Sequence, residues 1–273
     1  MANEEQLALL RNSVADWNQW RIDNPDVTPN LEGAVFTQVN LRGVNLSDAA
    51  LINANFVGSG LEDANLDRVN LSKANLSGVD FNGATLNQAI LTAANLLGAY
   101  LAKVSMVEVD LTHATMNRVD LTRADMSRAI LRHMSAIGAD MSRANLSDTD
   151  LEAADLSRAE MGRVNLSKAC LIKANLSNAR LIGATIVGAD LSEANLQNTR
   201  LNRADLSGSC FRQANLESST LLGANLTGAN LDQADLSNTN LSGANLAEAK
   251  MDGAILDAAT LNNATMPDGL LSH

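Results

Sequence analysis

Five cations recur at multiples of twenty residues: Lys103, Arg123, Arg143 and Arg163 in succession, then Arg203 beyond Gly183. Guanidinium and ammonium groups brought into one row would grip carboxylates or phosphates. His113 and His133 share that interval, and two adjacent imidazoles are half of a zinc site. Cys170 and Cys210 lie 40 residues apart, twice the interval. Such groupings carry chemistry only if residues twenty apart are neighbours in space. No catalytic constellation accompanies them, because the chain has only three histidines and its many Ser and Asp recur with a repeat. Its glycines fall mostly at corner positions and build no phosphate-cradling loop. No catalytic residue, no cofactor and no metal site is therefore expected.

The elements that must position these residues follow from a period of five. From Leu31 to Met266 a large apolar residue stands at every fifth position, 48 in all, with Leu at 35 of them and only Ala136 small. Two residues before each sits a small or β-branched residue, and Asn or Asp is the commonest residue between, as in Ala64-Asn65-Leu66. A helix advances 100° per residue, so a period of five drifts by 140° and makes no face. A plain strand has period 2 and would turn every second Leu to solvent. The period works only if three residues run in–out–in and two turn a corner that resets the phase. All four Phe (Phe36, Phe56, Phe81, Phe211) hold the large inward position, so the core is a narrow filled stack with no internal pocket. Met134-Ser135-Ala136 exchanges the large and small residues at nearly constant volume, and a local bulge or altered turn is expected there.

These repeats resemble the pentapeptide-repeat family, and the resemblance runs over residues 31–266. It implies an all-β solenoid, a right-handed quadrilateral β-helix with four corners and twenty residues per coil, hence about twelve coils spaced about 4.8 Å apart. Domain boundaries follow: an N-terminal helical cap at 1–30, the β-helix at 31–266 and a C-terminal tail at 267–273. In the cap, Leu7, Leu10, Val14 and Trp17 keep helical spacing, Asn3 precedes Glu4 and Glu5, and Pro25 and Pro29 follow. One helix is predicted over about 4–22, with its apolar face on the first coil. The run from Trp17 to Pro25 resembles the leader of bacterial, notably cyanobacterial, members of the family.

Coils of twenty turn the cations into a column, with Asp120, Asp140 and Glu160 in a parallel acidic column three residues earlier. The candidate partner-binding residues are Lys103, Arg123, Arg143, Arg163 and Arg203, with Tyr100 standing where the repeat normally has Asn or Asp. The alternative is a face that neutralises itself pair by pair. His113 and His133 stack without a natural third ligand nearby. The two cysteines fall about 9–10 Å apart, beyond disulfide reach, which suits a reducing cytoplasm. Leu270 and Leu271, past Pro267 and Gly269, either seed a two-fold contact at the C-terminal end or fold back.

Net charge is −11, yet residues 101–180 balance eleven cations against ten anions while both ends are acidic. Free nucleic acid requires a basic footprint and is not an expected partner. No long apolar run or signal-like opening is present, so a soluble, cytoplasmic protein with no membrane partner is expected. A filled core under a long patterned surface points to a non-enzymatic scaffold or adaptor for an unknown protein. The family resemblance also implies an alternative, a DNA-mimicking binder of DNA gyrase or topoisomerase IV, which needs a continuous acidic face that the middle third lacks.

Overall fold

The computed structural model describes residues 2–272. Every fifth residue from Asn30 to Asn245 pairs in parallel with the residue twenty further on, as in Asn65 with Thr85 and Asn145 with Asn165. One coil is therefore twenty residues, and turns every five residues give it four sides. Each rung is secured in both directions: Leu66 N–H donates to the Thr85 carbonyl and Asn65 N–H to the Val44 carbonyl, at 2.8 and 2.9 Å.

The corners show why the period is five. After each large residue two residues turn, and at most corners the following small residue donates back to the large residue's carbonyl, as Ala34 does to Leu31 at 3.0 Å. The second turn residue is left-handed at every corner from Gly33 (φ 71°) to Asn263 (φ 56°), the signature of a type II turn. Glycine takes this conformation without strain, but most corners use other residues, the Arg, Lys and His of the columns among them.

As far as Leu246 the large residues fill one continuous core, with Leu, Met and Phe essentially inaccessible and Ala or Val beside them. Phe36 and Phe56 stack in successive coils with centroids 5.0 Å apart. At Ser59, Thr149, Thr199, Ser209 and Thr239 the inward hydroxyl bonds to backbone, as Thr149 Oγ1 does to the Leu146 carbonyl at 2.7 Å, whereas the buried Ser219 hydroxyl has no partner among the described residues. The expected bulge at Met134-Ser135-Ala136 does not form. Met134 and Ala136 are both buried and Ser135 keeps its rung pairings with Thr115 and Asp155. The exchange is absorbed inside the core because the summed volume is conserved.

The N-terminal segment forms two helices rather than the single one predicted: α1 (Glu4–Asn12) and α2 (Val14–Asp23). Ser13 is extended between them and its Oγ accepts from Asp16 N–H at 3.2 Å, so a residue inside the apolar periodicity serves as a second N-cap. Leu7, Leu10 and Trp17 enter the solenoid core, and Val14 packs at its margin. Polar groups of these helices take the bonds that a preceding coil would have made. Asn30 N–H goes to Gln6 Oε1 (2.9 Å) and Asn45 N–H to Asn18 Oδ1 (2.9 Å), while the Asn45 carbonyl receives Trp17 Nε1–H (2.7 Å). Arg21 is buried and donates to the Val27 and Ser47 carbonyls, and burial pulls its guanidinium below its ordinary pKa.

At the other end the tail folds back. Leu271 bridges antiparallel to Thr265, Met266 N–H donates to the Leu270 carbonyl, and Ser272 Oγ bonds to Leu261. Leu270 and Leu271 nevertheless stay exposed, at 66% and 60%. Met251, Leu256 and Leu261 are only partly buried, so the last coil keeps an open apolar edge. Among the described residues no helix is long and apolar enough to cross a membrane.

A stack this tight cannot collapse around a void. Phe81→Ala or Leu151→Ala is expected to cost about 3–4 kcal/mol by urea unfolding, whereas substituting an outward Asn by Ser should cost well under half of that.

Candidate partner-binding face

Asn and Asp before each large residue do more than face solvent. Their Oδ1 accepts the N–H two residues on, the group that a type II corner leaves free, as in Asn145 to Ser147 (3.3 Å) and Asp190 to Ser192 (2.9 Å). The same side chains also link up the column, with Asn165 Nδ2 reaching Asn145 Oδ1 at 3.1 Å. The sequence reading missed this role, although Asn or Asp at fixed offset before a turn is its signal.

That role reaches the acids beside the cation column. Asp120 Oδ1 accepts both the N–H and the hydroxyl of Thr122, at 2.9 and 2.7 Å, and Asp140 Oδ1 accepts Ser142 N–H at 2.9 Å. Glu160, a methylene longer, pairs with Arg180 at 3.3 Å. None of the three acids reaches its arginine three residues on. Among the described residues, Lys103, Arg123, Arg143, Arg163 and Arg203 form no ion pair within 4 Å, so the close pairing across the corner that the alternative reading invokes does not form. All five are exposed.

Six cations elsewhere do pair, whereas Lys73, Arg118, Arg158, Lys168, Arg200, Arg212 and Lys250 form no ion pair among the described residues either. Arg128 binds Glu108 at 2.9 Å, and hydrogen bonds from Gln88 and Arg128 hold the Glu108 carboxyl below its ordinary range. Arg132 meets Asp150 at 2.5 Å and Glu152 at 3.7 Å. Arg42 with Asp63 and Arg68 with Asp48 make close pairs at 2.8 and 2.7 Å. These span adjacent coils, where the helical rise brings opposite charges together; in the cation column the neighbours above and below are cations or glycine.

The face is grooved. One shallow depression of about 350 Å³ is lined by Lys103, Thr122, Arg123, Ser142 and Arg143, three cations and two hydroxyl residues with no carboxylate. It continues through Ser142 and Arg143 into another of about 330 Å³ that reaches Gly162, Arg163, the Glu160–Arg180 pair and Ile182. In the other direction it continues through Lys103 into a third, bordered by Arg42, Asp63 and Asp80. Tyr100, three residues before Lys103 and paired in its column with Asp80 and Asp120, is 54% exposed.

The other chemical candidates separate from this face. His113 and His133 stack with centroids 5.1 Å apart and planes 13° apart, but among the described residues no group of three or more His, Cys, Asp or Glu is placed to hold a metal. Cys170 and Cys210 are free thiols; burial pushes the Cys170 thiol up, while Cys210 Sγ lies 3.2 Å from Ser192 Oγ.

Twenty-residue coils with a corner at every fifth residue define a solenoid of five-residue repeats. A family model for pentapeptide repeats matches in eight copies over residues 30–143, 159–238 and 239–268, and the chain belongs to the pentapeptide-repeat family. It is similar to HetL, a pentapeptide repeat protein involved in heterocyst differentiation regulation from the cyanobacterium Nostoc sp. strain PCC 7120. The two are 32% identical over 89% of this chain and 91% of HetL, with a TM-score of 0.46. It is also similar to Rfr23 from the cyanobacterium Cyanothece 51142, 33% identical over 44% of this chain and 63% of that one, TM-score 0.14. A trypsin-treated form of QnrB1, a plasmid-mediated fluoroquinolone resistance protein, is 21% identical over 81% of this chain and 91% of its own, TM-score 0.36. No curated protein matches the chain.

If Asp140 serves its own turn, the hydrogen bond rather than the charge carries its contribution. Asp140→Ala should cost about 1 kcal/mol in urea unfolding and Asp140→Asn almost nothing, since the amide oxygen accepts the same N–H.

Proposed function

We propose that this chain is a non-enzymatic adaptor that binds another protein through the grooved cationic face, with Lys103, Arg123, Arg143 and Arg163 as its centre and Tyr100 and Arg203 at its margins. The carrying observation is that four exposed cations without an ion pair among the described residues stand at equivalent corners of four successive coils, beside a depression lined by three of them and no carboxylate. Exposed cations of one sign in a row raise each other's electrostatic cost, and an acidic partner relieves it. The rod suits this role because its filled core makes it a rigid ruler. In this reading the β-helix over 31–266 is right-handed with about twelve coils, residues 1–30 are its cap, residues 267–273 its tail, and it works in the cytoplasm.

A capture experiment tests the reading. Wild type and the triple variant R123E/R143E/R163E are compared as bait in lysate of the source organism, with quantitative mass spectrometry. A protein retained by the wild type and lost by the variant is the expected result; a profile identical for both baits removes the face as the binding site.

The exposed leucines at the C-terminal end favour a second contact, between two copies of the chain. Sedimentation equilibrium should then give a dimer that L270D/L271D converts to a monomer, and a wild-type monomer at all concentrations would exclude it.

A further inference from the structure

We propose that the occupant of the cationic groove is an acidic α-helix of the partner protein, lying along the rod axis. This rests on the partner-binding reading above and adds the shape and charge pattern of what is bound.

The spacing of the cations matches that of one helix face. Lys103, Arg123, Arg143 and Arg163 occupy equivalent corners of four successive coils, all with φ between 58° and 61°. Equal backbone geometry makes the column regular, with rungs about 4.8 Å apart and the fourth about 14.4 Å above the first. A helix rises 1.5 Å per residue, so side chains at i, i+3, i+7 and i+10 share one face at about 0, 4.5, 10.5 and 15 Å. Every tooth meets a rung within about 1 Å. An extended peptide presents same-side residues about 6.7 Å apart, which is about 2 Å out by the second rung and further out at each one after. A regular row of four therefore selects a helix over a strand.

Three further features define the length and character of that helix. The column is bounded by glycines, Gly83 below and Gly183 above, so the cationic stretch is four rungs and no more. Between Lys103 and Arg143 the groove wall carries Thr122 and Ser142 but no carboxylate, because Asp120 and Asp140 are turned into their own corners. Tyr100 at the lower end and Ile182 at the upper end are exposed apolar groups four coils apart, about 19 Å or some 13 helical residues. The matching helix has four acidic residues at i, i+3, i+7 and i+10, with an apolar residue toward each end. The chain's overall charge of −11 opposes the other polyanion of comparable length, a nucleic acid strand.

The test uses the full chain and two fluorescent peptides of about 18 residues on an Ala/Gln background, of identical composition. One carries four Glu at i, i+3, i+7 and i+10 with a Leu near each end. In the other the same residues are rearranged so that alternate Glu point to opposite faces. Fluorescence anisotropy at low salt should show at least tenfold tighter binding of the first, with a further loss of at least tenfold for R123Q/R143Q/R163Q, whose folding is checked by circular dichroism. Equal binding of both peptides, or binding of neither, overturns the helical occupant. The capture experiment separates the two levels: a cellular partner lost by R123E/R143E/R163E, together with failure of the peptides to discriminate, leaves the binding face standing and removes the helix.

Discussion

Everything in this molecule depends on one five-residue corner. The carbonyl of the large inward residue accepts the N–H of the small inward residue three positions on, and the second of the two residues between them is left-handed. That bond closes the turn and aims the chain along the next side. It also leaves one turn N–H free, which the preceding Asn or Asp takes. A residue with a short acceptor does this best, which is why Asn or Asp is the commonest residue at the outward position. Four corners complete a coil, and the rung bonds then hold each coil on the last. Each coil touches only its neighbours, so the array's stability accumulates along its length and its ends are the exposed points.

The ends solve that problem differently. At the first coil, two helices supply both the apolar surface and the hydrogen-bonding groups that a preceding coil would have given, down to Trp17 filling the core while its indole N–H meets the Asn45 carbonyl. At the last coil a short tail covers one corner and leaves Met251, Leu256 and Leu261 half open. One end is closed by chain of the same molecule, and the other keeps apolar surface in reach of a partner.

The same corner chemistry gives the cationic face its character. The Asp120 and Asp140 carboxylates beside Arg123 and Arg143 bond to turn N–H groups and make no direct ion pair with those guanidinium groups. A structural device repeated along the whole rod thus has a local electrostatic consequence where arginine happens to follow it. The regular rise then makes the row a ruler, because every rung has the same backbone conformation.

The five-residue period, the inward and outward residues, the filled core and the twenty-residue columns were all legible in the sequence, since each rests on local periodicity that no distant contact can change. So were the residues of the cationic column. The break at Ser13 was not, because an apolar stripe continues across it and the choice between one helix and two depends on how the segment must bend to meet the first coil. Nor was the absence of bulging at Met134-Ser135-Ala136, which depends on whether neighbouring coils can absorb an exchange of volumes. The pairing of charges belonged to tertiary structure as well. Two residues three apart around a corner look like partners in sequence, but the carboxylate has a nearer donor in its own backbone, and only the folded corner shows which bond it makes.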